Sequence, residues 1–285
     1  MTQEESIPGG GATPLDAAAS AALALEAVAS GASAAAVLAV APGAHAGSRL
    51  LLVVDPDQGE RVHGTLGLPA LDDSAVAVAR AAVADPRHRD GLVTLPEDVE
   101  AYVEVRRPVP DLVIVGAGHI ALPMARMGAE LGFRVWVLDD RPDFATRERF
   151  PSAHRVMRAD FSDPFRDVSI HRHTHVLLVT RGHRYDYECL VEILRNPARP
   201  AYIGMIGSRR RVRATFLQLL DDGIPKERLG EIHAPVGLDI GAETPEEIAV
   251  AVAAELVKVR RGGTGASLRD MERVEERYFP GGEGA

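Results

Sequence analysis

The residues best placed to do chemistry are Gly116, Gly118 and Ala121, spaced as G-x-G-x-x-A. They follow the apolar run LVIVG and open a pattern that reads as a helix through Leu131. In such a turn Gly116 permits the tight bend, Gly118 lets a pyrophosphate approach the backbone, and Ala121 allows the helix to pack closely on its sheet. His119 lies inside the turn. A second apolar run, VWVLD, ends at Asp139, 23 residues after Gly116. That offset is expected of an acid that accepts a hydrogen bond from a ribose 2′-hydroxyl and repels a 2′-phosphate. Asp140 and Arg141 follow directly and join the candidate set, and the arginine blurs a choice between NAD and NADP.

Three further segments carry candidates. IGSRRRVR, Ile206 to Arg213, ends another apolar run, with Ser208 as a helix cap. The helix after it is expected to bury Val212, Phe216, Leu219 and Leu220. On that stripe Arg209 points to the sheet end and Arg211 away. Arginines in a first turn oppose the helix dipole at roughly 0.3–1 kcal/mol each, a cost that a bound phosphate or pterin anion would reverse. TRGH, Thr180 to His183, follows HVLLV, so His183 and Asp186 are candidates by position. A lone histidine is nevertheless more often structural than catalytic. In VGLDIGAETPEE, Thr244, Pro245 and Glu247 are explained by a capping box, which leaves Asp239 as the residue with chemistry to spare.

The remaining chemical signals weigh against other functions. Cys189 is the single cysteine, so no intrachain disulfide, iron–sulfur cluster or Cys-rich zinc site can form. It falls on the apolar side of a helix with Leu190 and Ile193, where packing explains it. The run HRHTH, His171 to His175, lacks neighbouring ligands and reads as a solvated loop rather than a metal site; no metal is expected. Neither lysine, Lys226 nor Lys258, sits in a phosphate-binding G-x-x-x-x-G-K loop.

These candidates need elements to hold them. The 285 residues suit about two domains, and 46% hydrophobic with 26% charged residues is ordinary for a globular chain. A net charge of −9 speaks against nucleic acid as a partner. The Ala-rich stretch from Ala17 to Val40 is too interrupted for a membrane span, and the start lacks a secretory signal, so a cytoplasmic location is expected. Residues 1–14 read as a flexible tail. Residues 15–107 form a small α+β domain, with a helix over Leu15–Ala29, strands in AAAVLAV and SRLLLVV, and a helix over Ser74–Ala84. The prolines of RRPVPD mark a linker. From 108 to 261, LVIVG, VWVLD, HVLLVT and AYIGMIG are uninterrupted apolar runs with helical patterns between most of them. That grammar predicts an α/β fold with a Rossmann-like, doubly wound parallel sheet. Residues 262–285 read as a flexible tail.

Taken together, IVGAGHIALPMARMGAELGFRVWVLDDRPDFA, TRGHRYD, YIGMIGSRRR and IHAPVGLDIGAETPEEIAVAVAAELV resemble the xanthine dehydrogenase accessory family of the XdhC/CoxI type. The resemblance covers most of Leu112 to Val259. It implies a Rossmann domain behind a smaller N-terminal domain, and a chaperone role in which molybdenum cofactor is bound and delivered to a xanthine dehydrogenase-type molybdenum hydroxylase. The N-terminal half departs from the family. Many members carry a stretch like GTIGGGCLE, whose cysteine is proposed to contact the cofactor; here HGTLGLPALDD puts Ala70 at that place. The Gly-Ser-Ser-Pro-Arg loop of the family is replaced by APGAHAGS.

The leading expectation is therefore a non-catalytic maturation factor. It would hold an anionic pterin or nucleotide with Gly116, Gly118 and His119, while Arg209 supplies charge. The alternatives are an NAD(P)-dependent oxidoreductase, with His183 as the proton donor the sequence ranks highest, and a protein-interaction remnant without a ligand. The oligomeric state is left open, with a homodimer among the options.

Overall fold

The structure, a computed structural model, describes residues 14–41 and 45–271. The tails expected at 1–14 and 262–285 therefore lie largely outside the described residues. The chain divides between Val109 and Pro110 into two compact units.

In the N-terminal unit, helix α1 (Ala17–Ala29) is capped by Asp16, which accepts from the Ala19 N–H at 2.7 Å. Strands β1 (Ser33–Ala41), β2 (Arg49–Asp55) and β3 (Gly59–Thr65) precede helix α2 (Pro69–Ala84). After β4 (Gly91–Thr94) comes a single 3-10 turn at Pro96–Asp98, and then β5 (Glu100–Arg106). The strands form one antiparallel sheet in the order β3-β2-β1-β5-β4. Helices cover both faces. Ala24 and Ala27 of α1 pack on Ala34, Leu51 and Val53, whereas Leu71, Ala75 and Ala79 of α2 pack on Ala35, Val37, Leu50 and Leu52. Burial on both sides explains why β1 and β2 are continuously apolar. The sequence pattern alone missed β3, β4 and β5. All three carry exposed positions, and in the order of the sheet β3 and β4 are its edges. Helix α2 also starts earlier than expected, with Pro69 at its first turn, a position where the missing proline N–H costs nothing.

The C-terminal unit begins with β6 (Asp111–Val115), α3 (Ala121–Glu130), β7 (Arg134–Asp139), β8 (Arg155–Arg158) and β9 (Thr174–Leu178). It continues with α4 (His183–Arg195), β10 (Tyr202–Met205), α5 (Arg209–Asp221), α6 (Lys226–Leu229) and β11 (Ile232–His233). Helices α7 (Pro245–Arg261) and α8 (Leu268–Met271) follow. The six strands are all parallel, in the order β11-β10-β9-β6-β7-β8. Counted from the far edge, this is the 3-2-1-4-5-6 order of a dinucleotide-binding sheet, with the reversal between β6 and β9. The expected α/β class with a doubly wound parallel sheet is what the structure has. One layer of its core lies under α4 and α5, with Val113, Val176, Cys189, Leu190 and Met205; the other lies under α3 and α7, with Leu112, Ile114, Leu177, Val252 and Leu256. No helix connects β7 to β8 or β8 to β9, where residues 140–154 and 159–173 are turns and irregular chain. The short β8 and β11 were not legible as apolar runs.

Two expectations inside this unit are corrected. His175 is not in a solvated loop: it is a buried residue of β9, where burial lowers its pKa to about 4. His171 is tied to the Asp111 carboxylate at 2.9 Å, beside Arg134 and Trp136. On α5, Leu220 is 40% exposed, and Thr215 is buried in its place. Among the described residues no helix is long and apolar enough to cross a membrane.

Candidate functional site

In an open parallel sheet the loops after the strands meet at the carboxyl edge, and ligands sit where the strand order reverses. Here that crevice is floored by residues 116–120. Gly116 has φ +106° and its N–H donates to Leu138 O at 2.7 Å. A side chain on Gly116 would meet Val179 O at 2.6 Å, so the loop after β6 is clasped between the chains leaving β7 and β9. Gly118 differs, because an added Cβ there meets nothing within 4 Å. Its space is open to whatever approaches the turn. Ala121 is fully buried, and Gly128 brings α3 against Leu112 and Val135. Among the described residues, no partner accepts from the N–H groups of Gly118, His119 and Ile120. Three unspent donors ahead of a ten-residue helix with no acid in its first turn are an arrangement that suits an anion. His119 is exposed beside them.

Asp139 stands where the sequence put it, but its carboxylate is already engaged. It accepts from the Ala117 N–H at 2.7 Å, from the Arg141 N–H at 2.9 Å, and from two Arg141 guanidinium nitrogens at 2.9 and 3.0 Å. Burial alone would raise this carboxyl; Arg141 and the two backbone N–H groups outweigh it and bring the pKa down to about 2. Asp139 thus locks the glycine turn to β7, and a ribose hydroxyl would have to displace Arg141 to be read there. The Arg141 guanidinium also lies over the Phe144 ring at 3.5 Å.

Asp140 crosses the crevice. Its two oxygens accept from the two terminal nitrogens of Arg181 at 2.6 and 2.7 Å. Arg181 also donates to the Tyr185 hydroxyl at 2.6 Å and lies 4.4 Å from that ring. Arg181 was not singled out from the sequence. The available signal was a cation placed just ahead of a helix start, against the dipole.

Asp186 is fully buried and belongs to a lock rather than an open site. It accepts from the Thr180 hydroxyl at 2.6 Å and from Arg211 Nε at 2.7 Å, and Arg211 reaches Thr180 as well. Burial pushes its carboxyl up against the pull of Thr180 and Arg211. This corrects the helical-wheel expectation, since Arg211 is the arginine that turns inward. Arg209 is exposed and, with Arg210 and Arg213, has no partner among the described residues. Ser208 caps α5 as expected, accepting from the Arg211 N–H. His183 is exposed at the first position of α4, where its charge adds a small pull on Asp186.

Asp239 is exposed in the loop between β11 and α7. That loop is anchored elsewhere: the buried Glu255 of α7 holds the Gly237 N–H and His233 Nδ1, the latter at 2.6 Å. The Thr244–Glu247 capping box forms as expected. Cys189 is buried in the apolar core, and burial raises its thiol pKa. No group of three or more His, Cys, Asp or Glu among the described residues is arranged to hold a metal ion.

The sheet order and the glycine turn define a Rossmann-type unit. A family model described as the XdhC Rossmann domain matches residues 112–256, just over half of the chain, and the chain belongs to the XdhC family. Two curated relatives are similar over part of their length. YqeB of Escherichia coli, described as uncharacterized, is 34% identical over 171 residues, which is 60% of this chain and 31% of that protein. A Bacillus subtilis protein, named as a probable xanthine dehydrogenase subunit, is 32% identical over 160 residues, 56% of this chain and 46% of the relative. The match thus spans less than half the length of either. A Bacillus halodurans crystal structure described as a xanthine dehydrogenase superposes with a TM-score of 0.59 at 24% identity, covering 87% of this chain and 66% of that one. That likeness is one of fold.

Proposed function

We propose that this protein is an accessory factor for a xanthine dehydrogenase-type molybdenum hydroxylase, and that it binds the anionic pterin of molybdenum cofactor at the carboxyl edge of its parallel sheet. One observation carries the proposal. On a chain of net charge −9, arginines stand at two helix starts that follow strands of the parallel sheet, Arg181 just ahead of α4 and Arg209 and Arg210 in the first turn of α5. The last two have no partner among the described residues. A cation in a first turn costs roughly 0.3–1 kcal/mol, and a phosphate between the two turns would reverse the sign of each contribution. The unspent N–H groups of Gly118, His119 and Ile120 suit the same phosphate.

The residues fit the organic, phosphate-bearing end of such a cofactor. The glycine turn and Arg209 would hold the phosphate, with His119 at the rim. They offer the metal little, because the sole cysteine is buried. The cofactor would supply the redox chemistry in the partner enzyme, while this chain binds, orients and shields it. The curated relative named for xanthine dehydrogenase supports that partner class.

The strand order and G-x-G-x-x-A turn also favour a second reading, an NAD(P)-dependent oxidoreductase with His183 as proton donor. Mass spectrometry of the small molecules released from gently purified protein separates the two. A pterin phosphate is the expected result; NAD(P) together with substrate-dependent NADH change would overturn the proposal in favour of the second reading. Protein from cofactor-producing cells that carries neither would leave a protein-interaction module.

A further inference from the structure

The pair Asp140–Arg181 lies in the path of any ligand that uses the crevice. The loop after β6 is pinned on one side by Gly116 to Leu138 and Ala117 to Asp139, and on the other it abuts Val179 and Thr180. Asp140 is the next residue on the first wall and Arg181 the next on the second. Their bond therefore runs above the carboxyl end of β6, from the β7 side to the β9 side. A ligand lying on the glycine turn between those strands must pass this line.

We propose that Arg181 is a further phosphate-recognising residue of this crevice, beside the glycine turn and Arg209, and that Asp140 is its resting partner, which a ligand phosphate replaces. The proposal rests on the reading of the carboxyl edge as an anion site. Three features support exchange rather than a fixed staple. Both partners are partly solvated, with side chains 40% and 31% exposed, and ion pairs of that kind open readily in water. The guanidinium presents Asp140 with two parallel donors at 2.6 and 2.7 Å, and phosphate oxygens match that fork as well as a carboxylate does. Tyr185 would keep Arg181 in place after Asp140 leaves, through its hydroxyl at 2.6 Å and its ring; the ring is itself packed on Phe161 at 4.6 Å. A cation just ahead of the positive end of α4 needs a nearby anion. Without ligand that anion is Asp140.

Calorimetry of the full chain with inorganic pyrophosphate tests this, with thermal melts confirming that each variant folds. Arg181→Gln should raise Kd by about tenfold. Asp140→Asn should act oppositely and lower Kd by about threefold, because the competitor is gone. In an Arg181→Gln background Asp140→Asn should give no gain, and Asp143→Asn, an exposed acid in the same turn, should change Kd by less than about twofold. A gain from Asp140→Asn that persists without Arg181 would reduce the effect to general charge and overturn the exchange. So would unchanged binding in Arg181→Gln. Gly118→Val separates the two levels. If it abolishes binding while Arg181→Gln does not, the anion site stands and only the exchange falls; if it leaves binding intact, or pyrophosphate binds neither wild type nor Asp140→Asn, both fall.

Discussion

Helices α2 and α3 both start from a glycine-bearing turn after a strand, one in each unit, and the backbone donors of the two turns just ahead of the helices are treated in opposite ways. At α2 the first turn contains Asp72, whose carboxylate accepts from the Leu66 N–H and the Thr65 hydroxyl, each at 2.6 Å, while Thr65 accepts from the Gly67 N–H at 2.9 Å. The turn is closed on itself, with its anion built in. At α3 the first turn has no acid, and the N–H groups of Gly118, His119 and Ile120 are unspent. Both turns follow the same capping physics. What separates the closed turn from the open one is whether the chain supplies the anion.

The largest effect that can sharpen this contrast comes from the two glycines of the open turn. Gly116→Val puts a β-branched residue at φ +106° with its Cβ 2.6 Å from Val179 O. It should cost on the order of 3–5 kcal/mol and leave little folded protein. Gly118→Val has neither problem, and the melting temperature should fall by no more than a few degrees while anion binding is lost. Equal destabilisation by both substitutions in paired thermal melts would show that the open turn is structural like the closed one.

How far the sequence foretold these features depended on where the apolar surface lies. LVIVG, VWVLD, HVLLVT and AYIGMIG were readable because both faces of those strands are buried, by helices or, on one side of β7, by irregular chain carrying Phe161 and Phe165. By contrast, β3 exposes Glu60, Arg61 and Val62 and resembles a loop, and β11 has only two residues. The turn glycines were legible since only backbone geometry dictates them. The arginines were not. A stripe that includes Leu220 and omits Thr215 predicts a rotated α5, with the roles of Arg209 and Arg211 exchanged. Asp139 was located correctly, but its occupation by Arg141 depends on a side-chain fold-back two residues away, which spacing cannot reveal.

The second test sets the two units against each other by pH. His175 is buried and its pKa is lowered to about 4 from an ordinary 6.5, so below 6.5 the unfolded chain takes up a proton that the folded unit refuses. Stability should therefore decline as pH falls from 6.5 toward 4, by up to about 3 kcal/mol. Asp139 adds a further loss only below its ordinary carboxylate range. His175 lies in the C-terminal unit, so acid should weaken that unit. Trp136 is the sole tryptophan and reports on that unit by fluorescence. Urea midpoints at pH 7 and pH 4.5 should converge in His175→Gln relative to wild type; an equal drop in both would assign the acid sensitivity to other groups.

The smallest effect on the fold concerns the closed turn. Ala70 is exposed at the second position of α2, after Pro69, where a cysteine meets no packing constraint. Ala70→Cys should change stability by less than about 0.5 kcal/mol. A thiol in a first helical turn has its pKa lowered by the helix end, although Asp72 in that turn opposes the shift. A thiolate is a ligand for soft metal centres. Cys189 is the reverse case: burial holds its thiol protonated, and Cys189→Ser should cost about 1–3 kcal/mol by placing a hydroxyl among Val113, Leu190 and Ile193. Metal analysis of protein from cofactor-replete cells should thus find more molybdenum with Ala70→Cys than with wild type, and no change per folded molecule with Cys189→Ser. The opposite order would mean that the core opens to present Cys189, and that the turn at α2, closed by Asp72, has no part in holding the metal.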